Sequence, residues 1–285
     1  MMSDWFETME DRFWLHPGGV GEREAQFILK ALHLRRGDAL LDAPCGAGRV
    51  SFHLARAGCV FTGMDLRDTF IRRARRRFRS AGLHGTFRVL DLRRLDIEGQ
   101  FDGIFSWAGS FGYFSEAENA QLVAAYVRAL RPGGRLLIEQ PNREHLLRHF
   151  RRLMQTDTVV YRSQWDARNQ RVKTRRIVAG VEDRHNSSSM RLYTPVHMCA
   201  LFERQGLIVE QVHRSLVFDA YGKSVPRMVV VGRKAPTRAK TVERRGAGRY
   251  GQRQIQRQGR AAPVVDLHDG EDHAISKAHK GAIQP

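Results

Sequence analysis

Two aspartates and a pair of glycines carry the most legible chemistry in this 285-residue chain. Residues 40–49 read LLDAPCGAGR: an apolar run ends in Asp42, and a loop of small residues with Gly46 and Gly48 follows. Glycines there let the backbone approach a ligand closely, and a helix starting at Arg49 aims its free N–H groups at the same place. A second apolar run, Val60 to Met64, ends in Asp65, seventeen residues past Gly48. An acid at that offset hydrogen-bonds ribose hydroxyls in nucleotide sites. The combination points to an adenosine-containing ligand. It argues against a dinucleotide, whose fingerprint is G-x-G-x-x-G, because Pro44 and Arg49 occupy the first and third glycine positions. Asp42 would repel a pyrophosphate and suits a ligand that carries an ammonium group.

The elements that must position these residues follow from periodicity and punctuation. A first strand spans about Ala39 to Ala43, a helix runs from Arg49 to Arg56 and stops at Gly58, and a second strand ends at Asp65. Phe70, Ala74, Phe78 and Ala81 recur at helical spacing with Ile71 beside them, and the opposite face is Arg72, Arg73, Arg75, Arg76, Arg77 and Arg79. A third strand, Thr86 to Leu90, runs into Asp91, and a fourth, Phe101 to Ser106, runs into Trp107. Ser115 and Glu118 have capping-box spacing and open a helix to Leu130. Arg131-Pro132-Gly133-Gly134 reads as a turn feeding a fifth strand, Arg135 to Glu139. Strand and helix signals in alternation predict a parallel sheet with helices on both faces. Residues 157–192 break the alternation: Val159 to Trp165 and Arg171 to Val178 are β-rich around a turn at Asp166 to Gln170, an antiparallel excursion. Thr194-Pro195 opens a helix that ends near Gln205, and Ile208 to Val212 pairs with Arg227 to Val231.

Three stretches resemble one family. The loop D-A-P-C-G-A-G-R, the run L-R-P-G-G-R-L-L-I at 130–138 and S-F-G-Y-F at 110–114 are similar to motifs of the class I S-adenosyl-L-methionine (SAM)-dependent methyltransferases. More narrowly, they resemble a bacterial small-molecule group whose loop reads D-x-P-C-G-x-G-R. The resemblance spans roughly residues 25–234. It implies an α/β, Rossmann-like seven-stranded sheet in the order 3-2-1-4-5-7-6, with the antiparallel β excursion after strand 5 covering the acceptor. It also implies a methyltransferase domain at 1–234 and SAM as cofactor. Carried over by motif, Gly46 and Gly48 pack against the methionine part and Asp42 acts on its ammonium group. Asp65 holds the ribose with Leu66 against the adenine. Asp91 accepts from the adenine amine with Leu92 beside the ring, and Ser106 and Trp107 complete the cofactor site. Arg67 stands where family members often have Ser or another small residue.

The same resemblance makes Trp107 to Phe114 a wall between the SAM methyl and the acceptor, with Phe111 and Tyr113 facing substrate. Both aromatics could instead pack under the following helix. Asn142 and Arg143, just past strand 5, are candidates for an acceptor carboxylate or polar group. Methyl transfer from a sulfonium is an in-line displacement that needs alignment and exclusion of water. No catalytic triad is therefore expected, and a general base would be Tyr113 or His145, with Glu139 as a third candidate. Cys45 lies inside the SAM loop, which excludes it as a nucleophile. Phe13-Trp14 and His16-Pro17-Gly18-Gly19 would form either a lid or an ordinary helix staple.

With 42% hydrophobic residues the chain can bury a sizeable core, and its three cysteines are too few and scattered for a disulfide framework or a zinc site. No apolar run reaches membrane-span length, and the acidic N-terminus lacks a signal-peptide layout; a cytoplasmic location is expected. The net charge is +18, unevenly spread: residues 1–30 carry −3, 31–232 carry +14 and 233–285 carry +7. Arg supplies 41 of the 48 basic residues, a bias that a GC-rich genome produces without selection for a partner. From Ala235 onward apolar residues are few, and 235–285 reads as a disordered basic tail. The expected partner is a small-molecule acceptor. The alternatives are an RNA methyltransferase using the basic surface and tail, and a non-catalytic SAM-binding protein.

Overall fold

In a computed structural model of the chain, residues 21–156, 159–178, 181–214, 217–220 and 225–236 are described. Strands β1 (Ala39–Asp42), β2 (Val60–Asp65), β3 (Thr86–Val89), β4 (Phe101–Ser106) and β5 (Leu130–Pro141) run parallel to their neighbours. β12 (Arg227–Lys234) returns antiparallel beside β5 and pairs in turn with β10 (Leu207–Arg214). The sheet order is β3-β2-β1-β4-β5-β12-β10, with a short strand β11 (Val217–Ala220) at the edge. The expected order 3-2-1-4-5-7-6 is realised, and β11 extends it to eight strands.

The order of the layers follows from which side chains each strand buries. Leu40, Phe61, Phe105, Leu137, Val229 and Val231 pack with α1 (Gly21–Ala31), α2 (Arg49–Arg56) and α3 (Asp68–Ser80). Their neighbours Leu41, Ile104, Leu136, Ile138, Met228 and Val230 pack with α4 (Glu116–Ala129) and α6 (Pro195–Arg204) on the other face. Burial on both faces is why the strands read as apolar runs instead of alternating, and each such side chain contributes roughly 1.5–3 kcal/mol. α3 buries Phe70, Ile71, Ala74 and Phe78 and turns its arginines outward. The capping box of α4 is formed: Ser115 Oγ accepts from the Glu118 N–H (3.2 Å) and Glu118 Oε2 accepts from the Ser115 N–H (3.0 Å).

Two features depart from the periodicity. The stretch Arg131–Gly134 is not a turn before β5 but an irregularity inside it, because Leu130 already pairs with Phe101 before Arg135 pairs with Gly103. The excursion after β5 holds four antiparallel strands instead of two, in the order β6 (Leu153–Gln155), β7 (Val159–Asp166), β8 (Arg171–Val178) and β9 (Val181–Arg191). The two unforeseen strands are the edges of this sheet: β6 is three residues long, and β9 (VEDRHNSSSMR) is polar apart from Val181 and Met190. An edge strand is held by backbone pairing and buries little, so it leaves no apolar alternation to read. A short helix, α5 (Arg143–Arg148), follows β5. The N-terminal segment with Phe13, Trp14 and His16, and the tail from 237 on, lie outside the described residues. Among the described residues no helix is long and apolar enough to cross a membrane, and no group of His, Cys, Asp and Glu has metal-binding geometry.

Candidate active site

β1 delivers Asp42 to the carboxyl edge of the sheet and the loop to α2 follows. Gly48, at φ 73°, precedes α2, and a Cβ there would stand 3.2 Å from the Ala74 Cβ, so this glycine lets α2 lie against α3. Its N–H donates to the Cys45 carbonyl (3.1 Å). Gly46, at φ 52°, differs: a Cβ would meet nothing within 4 Å, so its backbone borders open space. The Gly46 N–H donates to Asp65 Oδ2 (2.9 Å) and the Arg67 N–H to Asp65 Oδ1 (2.9 Å). Asp65 thereby ties the end of β2 to the loop after β1. The Arg67 side chain turns away, over the Phe70 ring (5.1 Å).

The electrostatics of this edge are acidic. Asp42 is 3% exposed and accepts from the Ser51 hydroxyl (2.6 Å). Burial lifts its carboxyl well above the ordinary range; the Ser51 bond opposes this and the nearby Asp65 charge reinforces it. Asp65 is also raised by burial, against the opposing backbone bonds from Arg67 and Gly46. The Arg49 guanidinium is ion-paired with Glu24 of α1, a third carboxylate whose charge acts on Asp42. Buried carboxylates crowded this way favour a cation beside them. Neither Glu24 nor Ser51 was foreseen from sequence. Ser51 lies two residues into the helix after the loop, a position that could have been examined, while Glu24 had no local signal.

At the end of β3, Asp91 caps a 3-10 turn, Leu92–Arg94, accepting from the Arg93 N–H (3.0 Å). The Arg93 guanidinium chelates the same carboxylate (2.6 and 3.1 Å), holds it below its ordinary pKa and reaches Glu118 (3.3 Å). An adenine amine would share Asp91 with Arg93. Leu92 is buried and Leu66 half-buried. Arg93 also lies over the Phe114 ring (5.1 Å), which links the end of β3 to the wall expected at 107–114.

At the end of β4, Ser106 and Trp107 are buried, and the Trp107 ring packs on Phe27 of α1 (5.9 Å). Ala108 and Gly109 take positive φ and turn the chain. Glu139, 1% exposed on β5, accepts the Gly109 N–H (2.9 Å) on one oxygen and Arg227 Nη1 (2.5 Å) on the other. It is therefore occupied in holding this turn to β12. Burial raises its carboxyl and the Arg227 charge opposes. Phe111 is buried against Tyr193 (5.7 Å) in the core under α4 and α6, so it packs and does not face a cleft. Tyr113 is half-buried; burial pushes its hydroxyl up, opposed by the charges of Arg176 and Arg227.

Past β5, Asn142 is fully buried. Its Oδ1 caps α5 by accepting from the Glu144 N–H (3.0 Å), and its Nδ2 donates to the Val225 carbonyl (2.7 Å). Both ends of the amide are thus engaged by the protein, which leaves no exposed amide atom for an acceptor. Arg143 lies over the Trp165 ring of β7 (5.5 Å), joining α5 to the antiparallel sheet, and His145 stacks on His149 (4.2 Å). The Glu139–Arg227 pair could have been suspected from a charge inside the apolar run LLIEQ. Its partner could not, since it lies on the last strand.

Residues 40–134 match the family model described as a methyltransferase domain. The S-adenosyl-L-methionine-dependent Diels-Alderase iccD of Talaromyces variabilis is 34% identical over 126 residues, 42% of this chain and 42% of its own. The dTDP-3-amino-3,4,6-trideoxy-alpha-D-glucopyranose N,N-dimethyltransferase of Streptomyces venezuelae is 30% identical over 132 residues, 45% of this chain and 54% of its own. The chain spans about half the length of these relatives, or less. The CcbJ methyltransferase structure from Streptomyces caelestis superposes with a TM-score of 0.65 at 19% identity, covering 81% of this chain and 94% of that one. The fold is the Rossmann-like sheet of that methyltransferase structure, and the match at 40–134 lies on β1 to the start of β5, the strands whose carboxyl ends carry Asp42, Asp65 and Asp91.

Proposed function

We propose that this chain is a SAM-dependent methyltransferase acting on a small-molecule acceptor. The observation that carries this reading is the buried pair Asp42 and Asp65 at the ends of adjacent strands, bracketing a loop whose Gly46 backbone borders open space. SAM fits that donor set: it is cationic at the ammonium and sulfonium, and its ribose offers donors to a carboxylate already oriented by two backbone N–H groups. When bound it supplies an electrophilic methyl group with a neutral thioether as leaving group. Asp65 would hold the ribose, Asp42 the ammonium directly or through water, and Leu66 and Leu92 the adenine, with Asp91 shared between Arg93 and the adenine amine. Trp107 and the turn pinned by Glu139 would close the cofactor side. The 107–114 segment and the antiparallel sheet would align the acceptor and exclude water, which is most of what an in-line displacement requires.

Equilibrium titration with SAM and S-adenosylhomocysteine should show binding in the micromolar range. Asp65→Ala should weaken it roughly tenfold to hundredfold, the worth of a charge-assisted hydrogen bond. Absence of binding, with Asp65→Ala indistinguishable from wild type, would overturn the reading. Methyl transfer from labelled SAM to a metabolite extract, with mass identification of the product, names the acceptor and its atom.

A second reading has its own observation: a relative at 34% identity is named a SAM-dependent Diels-Alderase. The cofactor pocket would then serve a reaction other than methyl transfer. The extract experiment separates the two, because a product that gains no label while its parent is consumed favours the second.

A further inference from the structure

Arg171, on β8, touches none of the groups assigned to the cofactor, yet it makes five hydrogen bonds. Its Nη1 donates to the Phe114 carbonyl (3.0 Å), and its Nη2 is shared among the carbonyls of Gly112 (3.1 Å), Tyr113 (3.1 Å) and Ser189 (2.8 Å). Its Nε donates to Ser189 Oγ (2.8 Å). Three consecutive carbonyls of the 112–114 segment thus converge on one side chain from another sheet. Carbonyls in extended chain alternate in direction, and three aimed at one spot repel one another unless a cation or a fan of donors lies there; a guanidinium is both. The seam continues beside it. The Arg191 N–H donates to the Gly112 carbonyl (2.7 Å), and a Cβ on Gly112, at φ 103°, would stand 2.5 Å from the Arg191 carbonyl oxygen. Only glycine allows the two segments this close.

We propose that Arg171 is a positioning residue for the acceptor: it fixes the backbone of 112–114, and Tyr113 with it, to the antiparallel sheet, so that wall and cover form one acceptor site. The acceptor half of this inference rests on the proposed function; the clamp itself does not. The planar fork carries the role: its three nitrogens serve five acceptors at once, which the single ammonium of a lysine, with three donors and a shorter reach, cannot. Arg171 acts through the backbone it holds, so its loss is felt on the acceptor side and spares the Asp42 and Asp65 side.

The test uses the full chain as wild type, Arg171→Lys, Arg171→Met and Gly112→Ala. S-adenosylhomocysteine affinity is measured by titration, and amide exchange is followed across 110–115. Methyl transfer from labelled SAM is measured against increasing amounts of a small-molecule extract. Both Arg171 variants should keep S-adenosylhomocysteine affinity within about twofold of wild type while amide exchange at 110–115 rises about tenfold or more. The half-saturating extract dose should rise about fivefold or more, with a smaller change in maximal rate, as loss of acceptor binding requires. Arg171→Lys behaving as wild type, or Arg171→Met leaving exchange and half-saturation unchanged, overturns the proposal. Should the Arg171 variants fail to fold, Gly112→Ala opens the same seam with Arg171 intact: acceptor-side loss supports the proposal, and wild-type behaviour overturns it. Should wild type bind no S-adenosylhomocysteine, the methyltransferase reading fails while the exchange measurement still decides the clamp.

Discussion

Asp42 keeps a carboxyl buried beside Ser51, with Asp65 adding negative charge. Because its folded pKa lies above the unfolded value, the native state holds the proton more tightly. The associated stability is present at low pH and is lost as pH rises from the unfolded pKa through the folded one. At pH above the carboxyl's ordinary range the ligand-free protein therefore bears the cost of burying this group, and a cationic ligand offsets it. Asp42→Asn should raise the Tm of the ligand-free protein at pH 7 by about 2–4 °C, the span of ~1 kcal/mol in a domain of this size, while weakening S-adenosylhomocysteine. Calorimetry with and without the ligand checks both signs, and a variant losing both stability and affinity would show Asp42 to be a structural acid only. Tyr113 yields a second expectation. A general base works best with a pKa near the operating pH, and burial moves this hydroxyl up, away from neutrality. Tyr113→Phe should thus leave the shape of the pH–rate profile unchanged and raise the half-saturating acceptor dose. Loss of a limb of the profile would restore Tyr113 as the base.

Among the elements, α4 links the 107–114 segment to the loop after β1. Its capping box opens the helix directly after Phe114, and its Tyr126 hydroxyl donates to the Ala43 carbonyl (2.8 Å), at the start of the loop after β1. Ser115→Ala removes the acceptor for the Glu118 N–H and the hydroxyl donor to the Glu118 carboxylate, which keeps the backbone N–H of residue 115 and Arg93. Loss of such a cap costs about 1 kcal/mol, visible as a lower urea midpoint at unchanged slope. A value near zero would mean that solvent satisfies the helix end as well as the box does. β8 links from the other side, through Arg171, so the 112–114 segment is held at both ends, by α4 and by β8.

Across the whole molecule the +18 charge predicts general affinity for polyanions without specifying a function. Binding to mixed-sequence RNA should fall steeply between low and moderate salt, as counterion release requires, and weaken on deletion of 237–285. Under the proposed function, label from SAM should appear in the small-molecule fraction of an extract and not in its RNA. Label in RNA, with salt-sensitive binding lost on deletion of the tail, would favour the RNA reading instead.

Local chain chemistry determined the strands and their acidic ends, while the order of the strands in the sheet came from the family resemblance. Each strand is an apolar run between punctuating residues, and Asp42, Asp65 and Asp91 stand where such runs stop, so adjacency in the chain is enough to place them. The capping box at Ser115 and the cap at Thr194 were legible for the same reason. The edge strands β6 and β9 were not, because backbone pairing holds them without an apolar pattern. Only the tertiary structure decided that Phe111 belongs to the core, that Asn142 caps a helix, and that Arg93 chelates the Asp91 carboxylate. It alone also joined Glu24 to Arg49, Glu139 to Arg227 and Arg171 to Tyr113, pairs separated by 25, 88 and 58 residues. A carboxylate or guanidinium reads alike in the sequence whether it meets water or a buried partner; the folded sheet chooses the partner, and with it the group's charge state and task.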